Sequence, residues 1–186
     1  QADMYENGLI PHPYKSNIES QLHWIPQHEW EYSLDFKAED YILREDVIEL
    51  VFEGLDTYAD VWMNGKKILH ADNMFRTYSY DVKDIIKETN NIKIKFYPFD
   101  KERDSLIETY PLRFPEKYAV MRKAAYQNGW DWAPRYMNMG IWQPVYLKAW
   151  TRSTICSASV ITNEIHDDKA DLFFEACINA DVEHDI

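Results

Sequence analysis

The pair Asn64-Gly65, set between two β-prone runs, constrains this chain more than any other short stretch. Residues Tyr58 to Met63 precede it and Lys66 to His70 follow. A two-residue turn between antiparallel strands needs positive φ at both central positions, which Asn and Gly adopt at little cost, so a type I′ hairpin is predicted here with Lys66 and Lys67 at a solvated tip. The neighbouring segments share the same period of two. Trp30, Tyr32, Leu34 and Phe36 fall on one face of a strand, with Glu31, Ser33, Asp35 and Lys37 on the other. Val47 to Phe52 is apolar on both faces, the pattern of a central strand. Arg76 to Tyr80 alternates with Tyr78 and Tyr80 on one side, and Asn91 to Tyr97 alternates with Ile92, Ile94 and Phe96 inward. Between them, Asp81 to Lys87 reads as one or two helical turns. The fold class is all-β.

A length of 186 residues fits one large β domain, or one domain and part of another. Residues 1–29 are rich in turn formers, with Asn7-Gly8, Pro11, Pro13 and Pro26, and read as an extended arm over a sheet. Residues 98–129 break the strand pattern. Pro98, Pro111 and Pro115 interrupt any long element, so this stretch is a long excursion with two short helices, and such excursions in compact domains usually carry function. Beyond Trp150, Ile155 to Asn163 and Ala170 to Asn179 read as strands joined by the polar turn 166–169. Residues 151–186 hold two basic and eight acidic residues, a net −6 out of the chain's −12. That shift divides the chain into domains 1–151 and 152–186, the second being the start of another β module, since two strands alone do not make a stable domain.

Composition excludes several function classes. Hydrophobic residues make up 46% and aromatic residues 15%, too many for a disordered chain. Mean hydropathy is −0.54 and no apolar run approaches the length of a membrane span. The acidic balance, with pI near 4.9 and no Lys/Arg cluster, argues against a nucleic-acid partner. Cys156 and Cys177 lack CxxC or Cys/His ligand spacing and read as two buried free thiols. His23 and His28 lack ligand spacing as well, so neither a metal nor any cofactor is expected. The opening QADMYENGLI carries no basic or apolar leader, so a signal peptide is expected to have been removed or to lie outside these residues.

The chemistry concentrates in Tyr126 to Trp150, YQNGWDWAPRYMNMGIWQPVYLKAW, which holds Trp130, Trp132, Trp142 and Trp150 of the chain's seven tryptophans. Between the first two sits Asp131. A pyranose offers an apolar face that packs on an aromatic ring and a rim of hydroxyls that an ionised carboxylate accepts from, so rings flanking an acid suit a sugar. From Ile141 to Trp150 the composition turns β-rich, with Pro144 marking an edge or a bulge. The same residues also fit a buried aromatic corner in which Asp131 caps a turn fixed by Pro134.

Several segments carry a resemblance: GLDTYADVWMNGKKI (54–68), DNMFRTYSYDV (72–82), and GWDWAPR (129–135) followed by GIWQPVYL (140–147). Together they resemble the N-terminal domain of β-mannosidases of glycoside hydrolase family two, over residues 7–150. The strand-and-hairpin segment is shared with β-galactosidases and β-glucuronidases; WDW-x-PR is the narrower marker. The resemblance implies a jelly-roll, galactose-binding-like sandwich, then an immunoglobulin-like sandwich, and then a (β/α)₈ barrel carrying two catalytic glutamates. No barrel is encoded in these residues, so no catalytic residue is expected among them. It further implies that Asp131 hydrogen-bonds hydroxyls of a terminal mannose and that Trp130 shapes the same pocket. Trp132, packed in the sandwich, and Arg135, paired with a carboxylate or barrel backbone, would support them. Ala133 stands where the family often has Gly.

The implied partners are a β-mannoside or manno-oligosaccharide and the barrel domain of the parent chain, in a periplasmic, secreted or lysosomal setting. Asn163-Glu164 resembles the family's acid/base pair but ends a strand outside any barrel, and a retaining glycosidase needs a second carboxyl roughly 5 Å away. Two alternatives stand beside the enzyme reading. One is a free-standing carbohydrate-binding module with Trp130 and Trp132 as its platform, and the other is a purely structural brace of another family two glycosidase.

Overall fold

Alternation of apolar and polar residues becomes a strand almost wherever the sequence carries it. The computed structural model describes residues 1–15, 17–109 and 116–180. Its strands in chain order are β1 (Trp30–Lys37), β2 (Val47–Phe52), β3 (Leu55–Asp56), β4 (Ala59–Met63), β5 (Lys66–Ala71), β6 (Tyr78–Asp81), β7 (Thr89–Phe96), β8 (Gly140–Ile141), β9 (Val145–Trp150), β10 (Ser153–Ile165) and β11 (Ala170–Ala180). Short helices α1 (Ala2–Glu6), α2 (Glu19–Leu22) and α3 (Asp40–Leu43) and the longer α4 (Phe99–Thr109) complete it, with 3₁₀ turns at Ile25–Gln27, Lys117–Val120 and Ala125–Asn128.

One antiparallel sheet runs β1-β7-β4-β5 and a second runs β6-β2-β9, while β3 and β8 form a short separate pair. Neighbours that are distant in sequence, such as β1 with β7 and β2 with β9, give the crossed connections expected of a jelly roll. The sheets share one buried cluster, in which Ile48, Leu50 and Phe52 of β2 meet Val61 and Met63 of β4 and Ile92, Ile94 and Phe96 of β7. Val51, on the opposite face of β2, is buried too, although Glu49 on that same face is partly exposed; the strand is central, between β6 and β9. Each fully buried side chain of this size stabilises by about 1.5–3 kcal/mol before the entropy of ordering is counted.

At the hairpin, Asn64 has φ +52° and Gly65 +82°, as a type I′ turn demands. Lys66 and Lys67 are exposed. Asn64 does more than turn the chain. Its amide donates to Ile85 O at 2.8 Å and to Asn90 Oδ1 at 2.9 Å, and it accepts from Asn91 N at 2.9 Å, fastening the hairpin to the start of β7.

Elsewhere the structure departs from the sequence reading. The first 29 residues are not an extended arm but short helical turns that bury Ile10, Leu22 and Ile25 against Trp30 and Tyr136. Leu34 is exposed, because β1 is an edge strand with nothing over that position among the described residues. Asp81 to Lys87, in agreement with the sequence, contains one helical turn, where Ile85 N and Ile86 N both donate to Val82 O. Pro144 splits the run from Ile141 to Trp150 into β8 and β9, and its carbonyl accepts from Glu53 N at 3.0 Å. In the excursion the helical segments are present, and Phe99, Met121 and Met137 form a second cluster with Tyr58. Pro111, Arg113 and Pro115 lie outside the described residues.

The last two strands pair over their whole length and close with His166 N donating to Lys169 O at 2.8 Å. Val160, Phe173 and Phe174 on this hairpin are exposed. So are Cys156 and Cys177, which corrects the expectation of buried thiols: they sit on a ribbon whose faces no other described element covers.

Candidate functional site

The segment that carries Asp131 is built as a ladder from its base. Asp56, at the end of β3, is an acid in an apolar surrounding and must be paired. Its Oδ1 receives Lys123 Nζ at 2.5 Å and its Oδ2 receives Gln127 Nε2 at 2.9 Å. The side chains of the ion pair, Lys123 and Asp56, are 1% and 3% exposed. Burial pushes the Lys123 ammonium below the usual lysine value, against the opposing pull of Asp56. The same two partners reach across to Asn138: Lys123 Nζ donates to its carbonyl at 2.6 Å, and its N–H donates to Gln127 Oε1 at 2.9 Å.

One step outward is Gly129, with φ +81°. A Cβ added there would lie 3.1 Å from Arg135 Cβ and 3.2 Å from Arg135 Cα, so glycine is what lets the two arms of the loop approach so closely. Above it Trp130 N donates to Ala133 O at 2.9 Å and Ala133 N returns a bond to Trp130 O at 3.3 Å. That antiparallel bridge leaves Asp131 and Trp132 as the two residues of the turn.

Asp131 is exposed at this tip. No side-chain hydrogen bond or ion pair among the described residues engages its carboxylate, so it does not cap the turn and its lone pairs are free to accept from a ligand. Trp130 is 65% and Trp132 82% exposed. Trp132 therefore does not pack in the sandwich, contrary to expectation: it sits in the two-residue turn closed by the Trp130–Ala133 bridge and is exposed there. Arg135 meets a carboxylate through its backbone: its N–H donates to Glu19 Oε1 at 2.7 Å. Beside it, the Tyr136 hydroxyl donates to Pro13 O. The N-terminal arm thus braces the returning side of the loop.

Under this loop Tyr126, Gln127, Asn138, Trp142, Met74 and Tyr32 contribute to a cavity of about 310 Å³. Trp142 is fixed there by its Nε1, which donates to Met74 O at 2.9 Å. Asp131 is not among the lining residues. Glu164 is far from this constellation in sequence and exposed on the last hairpin, where it and Asp171 flank His166 Nε2 at 3.9 Å and 3.2 Å.

The sequence reading reached the tip and missed its supports. Asp56, Lys123, Gln127, Asn138 and Glu19 were not singled out. Only Asp56 gave a signal, as a lone acid between Leu55 and Tyr58 in a β-prone run.

A family model described as "Glycosyl hydrolase 2 galactose-binding domain-like" matches residues 1–143. The chain is similar to the beta-mannosidase of Mus musculus, 31% identical over 159 residues that cover 79% of this chain and 18% of that protein. It is also similar to beta-mannosidase B of Thermothelomyces thermophilus, 33% identical over 153 residues, 78% of this chain and 18% of the relative. Among solved structures, the beta-D-mannosidase of Dictyoglomus thermophilum superposes with a TM-score of 0.86 at 33% identity, covering 96% of this chain and 22% of that one. The chain therefore spans under a quarter of the length of each of these proteins. No helix among the described residues is long and apolar enough to cross a membrane. The sandwich, its matched residues and its relatives agree, and the chain belongs to the galactose-binding-like domain family of glycosyl hydrolase 2, with β-mannosidases among its relatives.

Proposed function

We propose that these residues are the front, non-catalytic domain of an exo-acting retaining β-mannosidase, and that the WDW turn contributes Asp131 to the pocket for the terminal mannose. The observation that carries this is the Asp131 carboxylate, which stands at the tip of a braced turn with its acceptor capacity unspent. A single ionised group there can accept two hydroxyls of one sugar, and Trp130 beside it offers a ring edge or face to the C–H side. The catalytic glutamates belong to a barrel in the rest of the protein. The length of the relatives supports this reading, since this chain accounts for 18% of the two curated ones. We further propose that 152–186 begin a second, immunoglobulin-like β module.

In the full-length protein, Asp131→Ala lowers kcat/KM toward an aryl β-mannoside by the worth of a charge-assisted hydrogen bond, about 1.5 to 3 kcal/mol or about ten- to a hundredfold. The fold stays intact, read by its unfolding midpoint. Unchanged kinetics remove Asp131 from the glycone pocket. The 186 residues by themselves hydrolyse nothing, and hydrolysis by them would overturn the assignment of catalysis to a barrel.

A second reading draws on Trp132, whose 82% exposure suits a stacking platform of a carbohydrate-binding module. It requires the 186 residues alone to be retarded by soluble mannan in an affinity gel and Trp132→Ala to abolish the retardation. One wall of a pocket covers little of a small ligand, so the enzyme reading expects no retardation.

A further inference from the structure

We infer that the buried side chains of Asp56, Lys123 and Gln127, tied to the backbone of Asn138, are the positioning element for Asp131, so that the sandwich itself, through β3, sets where the WDW turn stands. This rests on the proposed role of Asp131 and extends it to residues that touch no substrate.

Stability alone does not account for such a group. Taking an ammonium and a carboxylate out of water costs several kcal/mol per ion, and apolar replacements of buried ion pairs are often neutral or stabilising. What charges and amides supply that apolar side chains lack is direction. The side-chain contacts that join the two arms of the loop converge on two points. The first is Asp56, at the end of β3 and immediately before the core strand β4, which receives Lys123 and Gln127. The second is Asn138, whose carbonyl and N–H are both taken by those same two side chains. The chain entering the loop at 123–127 and the chain leaving it at 138 are thereby cross-tied over the end of one strand.

From that base the geometry is transmitted upward without a gap. Gly129 and Arg135 are in close backbone contact, and Trp130 and Ala133 exchange hydrogen bonds directly below the tip. Loosening the base tilts the whole ladder. A substrate-contacting acceptor tolerates little misplacement, since a shift of about 1 Å at a reacting site can cost about a hundredfold. Groups that hold such an acceptor in place therefore contribute to its function without touching substrate.

The test uses the full-length protein and two readouts. Gln127→Leu removes one rung of the base and leaves the Asp56–Lys123 pair in place. Backbone amides of 128–137 then exchange with deuterium at least about tenfold faster while those of β2 keep their protection. kcat/KM toward an aryl β-mannoside falls about tenfold, and the same substitution placed on Asp131→Ala gives no further loss, because the two residues act through one contact. Where Gln127→Leu does not fold, the double replacement Asp56→Leu with Lys123→Met, which removes both charges together, takes its place with the same readouts. Unaltered exchange in 128–137 overturns the clamp. Faster exchange with an undiminished kinetic loss in the Asp131→Ala background overturns its action through Asp131. If Asp131→Ala by itself leaves kcat/KM unaltered, the role of Asp131 fails and the positioning claim with it, while the exchange data still decide whether the base holds the loop.

Discussion

Asn138 gives both backbone polar groups to side chains that are themselves buried, and the cost of that arrangement falls on Asp56 and Lys123. Removing one member of a buried pair is expensive because the other charge stays behind without water. Lys123→Met alone therefore destabilises the protein by about 3–5 kcal/mol, read as a drop in the urea midpoint at unchanged slope. Equality with wild type would mean that water reaches Asp56. At this scale the sequence was legible only where partners are neighbours. Asp131 stands out because Trp130 and Trp132 flank it, whereas Lys123 meets Asp56 across 67 positions and looks, in the chain, like one more charge in a charged stretch.

The β4–β5 hairpin shows why some elements can be read in advance and others cannot. Its turn is dictated by two adjacent residues, so Asn64-Gly65 declared it. The N-terminal arm hid its helices because α1 and α2 are five and four residues long, below what propensity alone sustains, and exist through contacts with Trp30 and Tyr136. The hairpin also has a pH dependence of its own. Burial by itself would raise the Asp60 carboxyl, but Lys67 at 2.7 Å, His70 at 2.7 Å and the Tyr97 hydroxyl at 3.0 Å hold it below the ordinary value. A carboxylate depressed in the folded state contributes stability that is complete above its unfolded value, about 3.9, and is lost as pH falls through the lower folded value. Denaturant titrations between about pH 5 and pH 2 should show Asp60→Asn flattening the acid loss of stability. An unaltered slope would assign that loss to other carboxylates.

Across the whole molecule, fold and site were legible to different degrees. The all-β sandwich came through because alternation marks strands locally and their burial then decides how they stack. The expectation of buried cysteines failed because burial is a property of neighbours that a strand pattern does not name. Cys156 and Cys177 lie on the β10–β11 ribbon, and in the 186-residue protein both should react with a disulfide reagent without denaturant, counted by absorbance. A count below two would place another element over the ribbon. The brace formed by Glu19 and Pro13 on Arg135 and Tyr136 carries a different consequence. Shortening the protein from its front end to residue 29 would leave the two main sheets whole, since every strand in them begins at or beyond Trp30. On the proposed role of Asp131, the parent protein shortened in this way should keep most of its β-sheet circular dichroism yet bind a β-mannoside more weakly, behaving as a lesion of recognition in a protein that still looks folded.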